Sequence, residues 1–454
     1  MKRHISLSLI LALLWASLSL SLAAPSAPSA PSASAQTALD RAAAYYAEAG
    51  AESWEDILAL YAMDSLPKGL SMPEDLSPSA QVLCALALGL DPYALKGCPP
   101  YALAAAQKAG GALGDSLTEH IYAMLALKLA PARLYDKDAA MAWLVGQQTA
   151  NGSFEAWGSV TEPTGLALLV LDGNPAERAA AFLLTQMTEN GGFVGYPEYG
   201  TDPDSCTTAS VLSGLIAASA SIPDAVTAHL LSYQDESGAF RYLAGLDADP
   251  VYATPQCARV LGELAGGSVY ARLAAAAPEA PPYADWADIP AWGHDYVLYA
   301  LDSEWMIGDT QGRFNPGGEI TRAELAMILM TLNLNADGRF GASYTDVRPG
   351  EWFAEAVRYV SENGLMEGDG NQFKPREILT REEIAFYLAR GLGLMVTTPD
   401  RQPSDISAVT PAYADGVRAV FAEGIMIGGA AGVFNPKGRF TRVELAGLLN
   451  NLHA

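Results

Sequence analysis

Apolar and polar positions set the organisation of this chain before any composition is counted. Between Thr37 and Ala277, short apolar stretches at helical spacing come in pairs, one before and one after a glycine-rich turn. The pairs are Ala139–Val145 with Thr164–Leu171, Ala179–Leu184 with Thr207–Ala217, and Ala225–Leu231 with Gln256–Leu264. Gln148 to Phe154 and Gln234 to Phe240 both read Q-x-x-x-G-x-F. Glu189-Asn190-Gly191-Gly192-Phe193 repeats the turn with Met187 at the glutamine position, and Gln107 to Leu113 is a weaker copy with Gly111 placed alike. The predicted unit is helix, glycine turn, aromatic, loop, helix. A two-helix unit of ~40–47 residues cannot bury its apolar faces alone, so the copies stack as a solenoid or close into a ring.

Beyond an Ala/Pro linker at 271–282 the texture changes, and landmarks recur three times at a spacing of about 60 residues. Ile320-Thr321-Arg322-Ala323-Glu324 returns as Leu379-Thr380-Arg381-Glu382-Glu383 and as Phe440-Thr441-Arg442-Val443-Glu444. Each is preceded by Phe314-Asn315-Pro316, Phe373-Lys374-Pro375 or Phe434-Asn435-Pro436, and earlier by Met306-Ile307-Gly308, Met366-Glu367-Gly368 or Met426-Ile427-Gly428. The repeats open with Asp288-Ile289, Asp346-Val347 and Asp405-Ile406. Threonine followed three residues later by glutamate predicts a capping box at the start of a helix. That box fixes the arginine at the first helical position, beside the positive end of the helix dipole, where its planar fork can hold a carboxylate.

The N-terminal stretch has a different character. Met1-Lys2-Arg3-His4 followed by the apolar, serine-broken Ile5 to Leu22 is laid out as a secretory signal, with cleavage after Ser21-Leu22-Ala23 or after Ala33-Ser34-Ala35, and an uncleaved anchor as the alternative. Residues 25–35, PSAPSAPSASA, form a low-complexity spacer.

Composition narrows the function classes. Of 454 residues half are hydrophobic, 17% are charged and 9% aromatic, which favours alanine- and leucine-rich packed helices in two to four domains. Lys+Arg 27 against Asp+Glu 51 leaves a net charge of −24, which repels phosphate backbones and makes nucleic acid a poor partner. No apolar run after the N-terminus approaches the ~20 residues needed to span a bilayer. Cys84, Cys98, Cys206 and Cys257 permit up to two disulfides with three connectivities, buried free thiols being the simpler reading. No C-x-x-C occurs and the five histidines are scattered, so neither a metal nor a cofactor is expected.

The turns of the first half resemble the Q-x-x-x-G-x-W/F repeats of the prenyltransferase and squalene-cyclase family, over roughly residues 40–277. That resemblance implies an α/α toroid. Asp202-Pro203-Asp204-Ser205 resembles the D-x-D-D acid motif of squalene–hopene cyclases with serine in the last place, which makes Asp204 the one catalytic candidate. Asp204-Ser205-Cys206 also resembles half of a protein prenyltransferase zinc site, whose histidine has no match here. The plainer reading is that Asp204 caps the helix beginning at Cys206, as Ser79 and Thr161 or Thr164 would cap theirs. The toroid is therefore read as a binding domain of unknown ligand, with a wall-anchored terpenoid-cyclase or transferase as the alternative.

The triplicate resembles the S-layer homology (SLH) domain. This implies a pseudo-threefold helical domain that binds pyruvylated secondary cell-wall polysaccharide, without catalysis. Carried over residue by residue, the resemblance implies carbohydrate-binding roles for Arg322, Arg381 and Arg442, for Asp288, Asp346 and Asp405, for Trp292 and Trp352, and for Gly308, Gly368 and Gly428. Repeat three has Ala412 in the tryptophan position, and repeat one has Glu304 where the others have Gly364 and Gly424, which puts at least one groove in doubt. The expected order is signal 1–24, spacer 25–36, toroid 37–277, linker 278–282, and SLH repeats 283–340, 341–400 and 401–454. The expectation is a mainly α, secreted protein on the cell wall or S-layer surface of a Gram-positive-type bacterium.

Overall fold

The computed structural model describes residues 32–336, 338–340, 343–396, 401–428 and 432–452. The signal segment and nearly all of the spacer lie outside the described residues. The described chain is helical, with eighteen α-helices and four short 3₁₀ helices, and its β-structure is limited to isolated bridges. It divides into two compact units. The first comprises residues up to Leu95, Ala106–Pro131 and Tyr135–Glu279, and the second Lys96–Ala105, Ala132–Leu134 and the chain from Ala280 onward.

In the chain up to the linker the helices are α1 (Ala33–Ala49), α2 (Trp54–Ala62), α3 (Pro78–Ala87), α4 (Pro99–Ala105), α5 (Leu117–Leu129), α6 (Lys137–Gly146), α7 (Thr161–Ala167), α8 (Gly173–Thr185), α9 (Ser205–Ala217), α10 (Asp224–Leu231), α11 (Ala253–Gly266) and α12 (Val269–Ala276). Helix α1 begins within the stretch assigned to the spacer. Helices α2, α3, α5, α7, α9 and α11 pack in that order, and α11 returns to α2, so six inner helices close a ring. Helices α6, α8 and α10 lie on α5, α7 and α9, and α1 bridges α10 and α11, giving the outer layer of an α/α toroid. Small residues allow the closest crossings: a Cβ on Gly262 would strike the Ala62 backbone, and one on Gly214 would strike the Gly165 carbonyl.

The repeated glycine turns show why their residues recur. Gln148 Nε2 donates to the carbonyls of Gly152 and of Pro175 at 3.0 and 2.9 Å, tying its own turn to the next outer helix. Gln107 does the same toward Gly111 and Asp136, and Gln234 toward Gly238 and Ala38. The last staple lands on α1 and closes the circle. Met187 cannot donate, so this turn lacks the glutamine staple to the next outer helix and relies locally on bonds such as that from Thr188 Oγ1 to the Gly192 carbonyl. Gly238 has φ +97°, and a side chain there would collide with the Arg41 carbonyl, so only glycine fits.

A second link, absent from the motif, joins each turn to the following inner helix. The N–H groups of Phe154, Phe193 and Phe240 donate to the hydroxyls of Thr164, Thr208 and Thr254, and that of Leu113 donates to His120 Nδ1. Thr164 is thus occupied with a turn rather than with capping, and α3 is capped by Ser77 ahead of Pro78, not by Ser79. All four cysteines are buried, as thiols and not joined in disulfides.

The second unit adds α13 (His294–Asp302), α14 (Arg322–Thr331), α15 (Ala354–Glu362), α16 (Arg381–Gly391), α17 (Ala414–Ala422) and α18 (Arg442–Asn451), two per repeat. The second helix of each repeat packs on the first helix of the next: α14 on α15, α16 on α17, and α18 back on α13. Large and small residues alternate at these crossings, with Gly447 under Tyr296 and Gly416 under Phe386. One core runs through the unit, with Phe314, Phe373 and Phe434 fully buried. All three Thr-x-x-Glu capping boxes form, at Thr321/Glu324, Thr380/Glu383 and Thr441/Glu444. Glu304 takes φ +57° in the place of Gly364 and Gly424.

Candidate functional site

Each repeat hands its arginine to the next. The N–H groups of Arg322 and Ala323 donate to the Glu377 and Pro375 carbonyls, those of Arg381 and Glu382 to Gly438 and Pro436, and those of Arg442 and Val443 to Gly318 and Pro316. The helix N-termini that would otherwise present free N–H groups are therefore capped by a neighbouring loop. The arginine side chain follows the same route: Nε of Arg322, Arg381 and Arg442 donates to the carbonyls of Phe373, Phe434 and Phe314 at 2.8, 2.9 and 2.7 Å. Each guanidinium also lies over the ring of that phenylalanine, at 4.8 to 5.2 Å.

These hand-overs assemble grooves to which all three repeats contribute. One of them, about 820 Å³, is lined by Trp292 of repeat one, Arg381 of repeat two, and Gly428, Asn435, Arg439 and Glu444 of repeat three. Arg381 Nη1 lies 3.4 Å from Glu444 Oε1. Burial pulls its guanidinium below the ordinary value, against the opposing pull of Glu444. The pseudo-threefold relation makes Trp352, Arg442 and Gly308 the corresponding positions; Arg442 Nη1 is 3.0 Å from Glu324 Oε1 and Nη2 donates to the Ile307 carbonyl. Trp352 and Glu324 share a cavity of about 570 Å³ there. Both tryptophans stand out from the surface, 56% and 63% exposed, beside the similarly exposed Ile427 and Ile307. An exposed indole can stack on a sugar face while a neighbouring guanidinium holds an anion.

The third set contains Arg322 and Gly368, with Ala412 in the tryptophan position. Here Nη1 donates to Tyr387 Oη at 3.0 Å and Nη2 to the Glu367 carbonyl at 2.6 Å. Beside it, Glu382 is buried and accepts from Thr410 N, Thr410 Oγ1 and Lys437 Nζ. Burial alone would raise the Glu382 carboxyl, but Lys437 and Thr410 hold it below the usual range.

The expected opening aspartate of repeat one needs correction. Asp346 accepts the N–H groups of Phe373 and Lys374, and Asp405 those of Phe434 and Asn435. In repeat one these bonds go to Asp285, from Phe314 and Asn315, while Asp288 sits exposed in a 3₁₀ turn. The misplacement came from matching Asp-Ile pairs. Aligning Tyr283-Ala284-Asp285 with Tyr344-Thr345-Asp346 gives the register, since both tyrosines pack against Gly308 and Gly368. Those two glycines leave no room for a Cβ beneath the ring, and Gly428 likewise faces the Val433 carbonyl. Tyr387, Glu324 and Glu444 were also missed as arginine partners, because their contacts join residues 63 to 118 positions apart.

In the toroid, Asp204 caps α9. Its Oδ1 accepts from Thr207 N at 2.7 Å and its Oδ2 from Gly195 N at 3.2 Å. Burial raises its pKa, while the N–H groups of Thr207 and Gly195 act in the other direction. Among the described residues no group of three or more His, Cys, Asp or Glu is placed to hold a metal ion, and no helix is long and apolar enough to cross a membrane.

Comparison with known proteins agrees with the triplicate. The S-layer homology domain family matches residues 282–326, 343–385 and 404–446, so the chain carries three SLH domains. An S-layer protein of Bacillus thuringiensis subsp. finitimus is 30% identical over 176 residues, 37% of this chain and 21% of its own length. An amylopullulanase of Thermoanaerobacterium thermosulfurigenes is 31% identical over 170 residues, 36% of this chain and 9% of its own. The chain thus spans 21% and 9% of the length of these relatives. A type II terpene cyclase from Scytonema superimposes with a TM-score of 0.38 at 14% identity, over 51% of this chain and 96% of its own.

Proposed function

We propose that this is an exported bacterial surface protein, held noncovalently to pyruvylated secondary cell-wall polysaccharide of a Gram-positive-type envelope by its SLH repeats. Its toroid presents a binding surface for a separate, unidentified ligand. The observation that carries the reading is an exposed tryptophan and a recessed arginine lining one groove, Trp292 with Arg381, with Trp352 and Arg442 at the corresponding positions of the pseudo-threefold. Pyruvyl groups supply the carboxylate for the guanidinium, and the sugar ring supplies a face for the indole. Gly308 and Gly428 keep the backbone low at the groove floor, while Asp346, Asp405 and Asp285 brace the loops that carry Phe-Asn/Lys-Pro. The relatives named above support a surface location, since one of them is an S-layer protein.

The test is co-sedimentation of the full chain with purified cell walls, before and after chemical stripping of the wall polymer. Binding to intact walls and its loss on stripping is the expected outcome, and equal sedimentation with stripped walls overturns the reading. A charge-assisted contact is worth ~1.5–3 kcal/mol, so the Trp292→Ala, Arg381→Ala pair should bind intact walls more weakly than a pair of exposed-lysine variants.

A further inference from the structure

The three grooves are related by pseudo-symmetry, but their chemistry is unequal. The geometry points to two grooves that take wall polymer and a third that the chain closes with its own side chains; this rests on the anchoring reading above. Three positions depart together in the set around Arg322. Ala412 replaces the indole that Trp292 and Trp352 offer elsewhere, which removes the flat apolar platform for a sugar ring. Tyr387 occupies the helical position held by Leu448 and Ile328, and its hydroxyl takes Arg322 Nη1 where the open grooves have a carboxylate.

All three nitrogens of that guanidinium are engaged, on Phe373 O, Tyr387 Oη and Glu367 O, as those of Arg442 are on Phe314 O, Glu324 Oε1 and Ile307 O; the difference is a neutral hydroxyl as partner in place of a carboxylate. Arg322 is only 8% exposed and is held between the Phe373 and Tyr387 rings. Glu367 then stands at the rim where the other two grooves have Ile307 and Ile427, so a carboxylate faces any incoming anion. Two further cations are paired: Lys437 with Glu382, and Lys374 with Asp369 at 2.6 Å. With its platform missing, its arginine buried against two rings and its rim repulsive, this set acts as structure, and Arg322 is a buried strut between repeats one and two.

The test is isothermal titration of the full chain with size-fractionated fragments of pyruvylated wall polysaccharide, each short enough to fill one groove. Wild type should bind two fragments per chain. Trp292→Ala and Trp352→Ala should each leave one, and the double variant none; both residues are more than half exposed, so folding is not at stake. Any wild-type count other than two, or a fragment retained by the double variant, overturns the inference. A wild-type count of one or three leaves the anchoring reading standing, whereas a count of zero removes both.

Discussion

The toroid and the SLH triplet both close on themselves, but they divide the labour differently. In the toroid a glutamine ties its own turn to the next outer helix, and a threonine ties the same turn to the following inner helix. The two links are redundant, and the copy with Met187 keeps the Phe193–Thr208 bond without the glutamine staple. In the triplet one arginine carries backbone, ring and side-chain contacts into its neighbour at once. Losing it strips several acceptors together, so the landmark has no freedom to drift. Redundant linkage tolerates degenerate repeats, and shared linkage enforces strict ones.

The sharpest way to break the toroid side of this comparison is Gly238→Ala. It places a Cβ against the Arg41 carbonyl at a φ that alanine resists, and is expected to cost about 4 kcal/mol or more. Hydrogen exchange should show α1 losing protection, with the peptides of 283–452 unchanged. On the triplet side, Arg442→Ala removes the donors to Phe314, Ile307 and Glu324 and is expected to cost about 3 kcal/mol. Chemical denaturation should show the loss, and exchange should map it to both sides of the repeat three–repeat one boundary rather than to α18 alone.

The smallest expected effect concerns His120, the one toroid link that titrates. Its Nδ1 accepts the Leu113 N–H, which fixes the neutral ring with Nε2–H directed at the Ala140 carbonyl at 3.1 Å. Burial lowers its pKa from 6.5 to about 4. The unfolded chain therefore binds the proton first as pH falls, so stability is lost between 6.5 and about 4, by up to ~3 kcal/mol, and is level below that. His120→Thr, which installs the residue used by the other copies, should remove this component of the pH dependence while leaving the carboxylate-driven part. Denaturation midpoints at pH 7, 5.5 and 4 for the two chains check it, and parallel curves would show that the ring is not held neutral.

The same contrast decides what could be read from sequence. Helix pairs, glycine turns, capping boxes and the order of repeats were legible, because each depends on residues within a few positions of one another. The threonine links escaped notice, because Thr164, Thr208 and Thr254 lie at varying distances after their aromatics, 10, 15 and 14 residues on. Ring closure by Gln234 on Ala38 has no local signal. In the grooves, the arginines recur within the Thr-Arg-x-Glu landmark and the tryptophans follow from the family resemblance, whereas the aspartate of repeat one was misplaced because a second Asp, three residues along, imitates it. The identity of each arginine's partner was beyond reach, since that partner belongs to another repeat.

The bond from Gln234 to Ala38 joins residues 196 positions apart. Helix α1 is made first yet can be seated only after nearly all of the toroid exists, which makes it the slowest contact to mature in a chain that emerges from its N-terminus. The loop to be closed costs little extra, about 0.6 kcal/mol for each doubling of its length. The hazard is the waiting period, during which the buried face of α1 stays wet. That face consists of Ala35, Ala38, Ala42 and Tyr46, three of the four being the smallest apolar side chains available. A latecomer of this kind can wait in water without attracting neighbours.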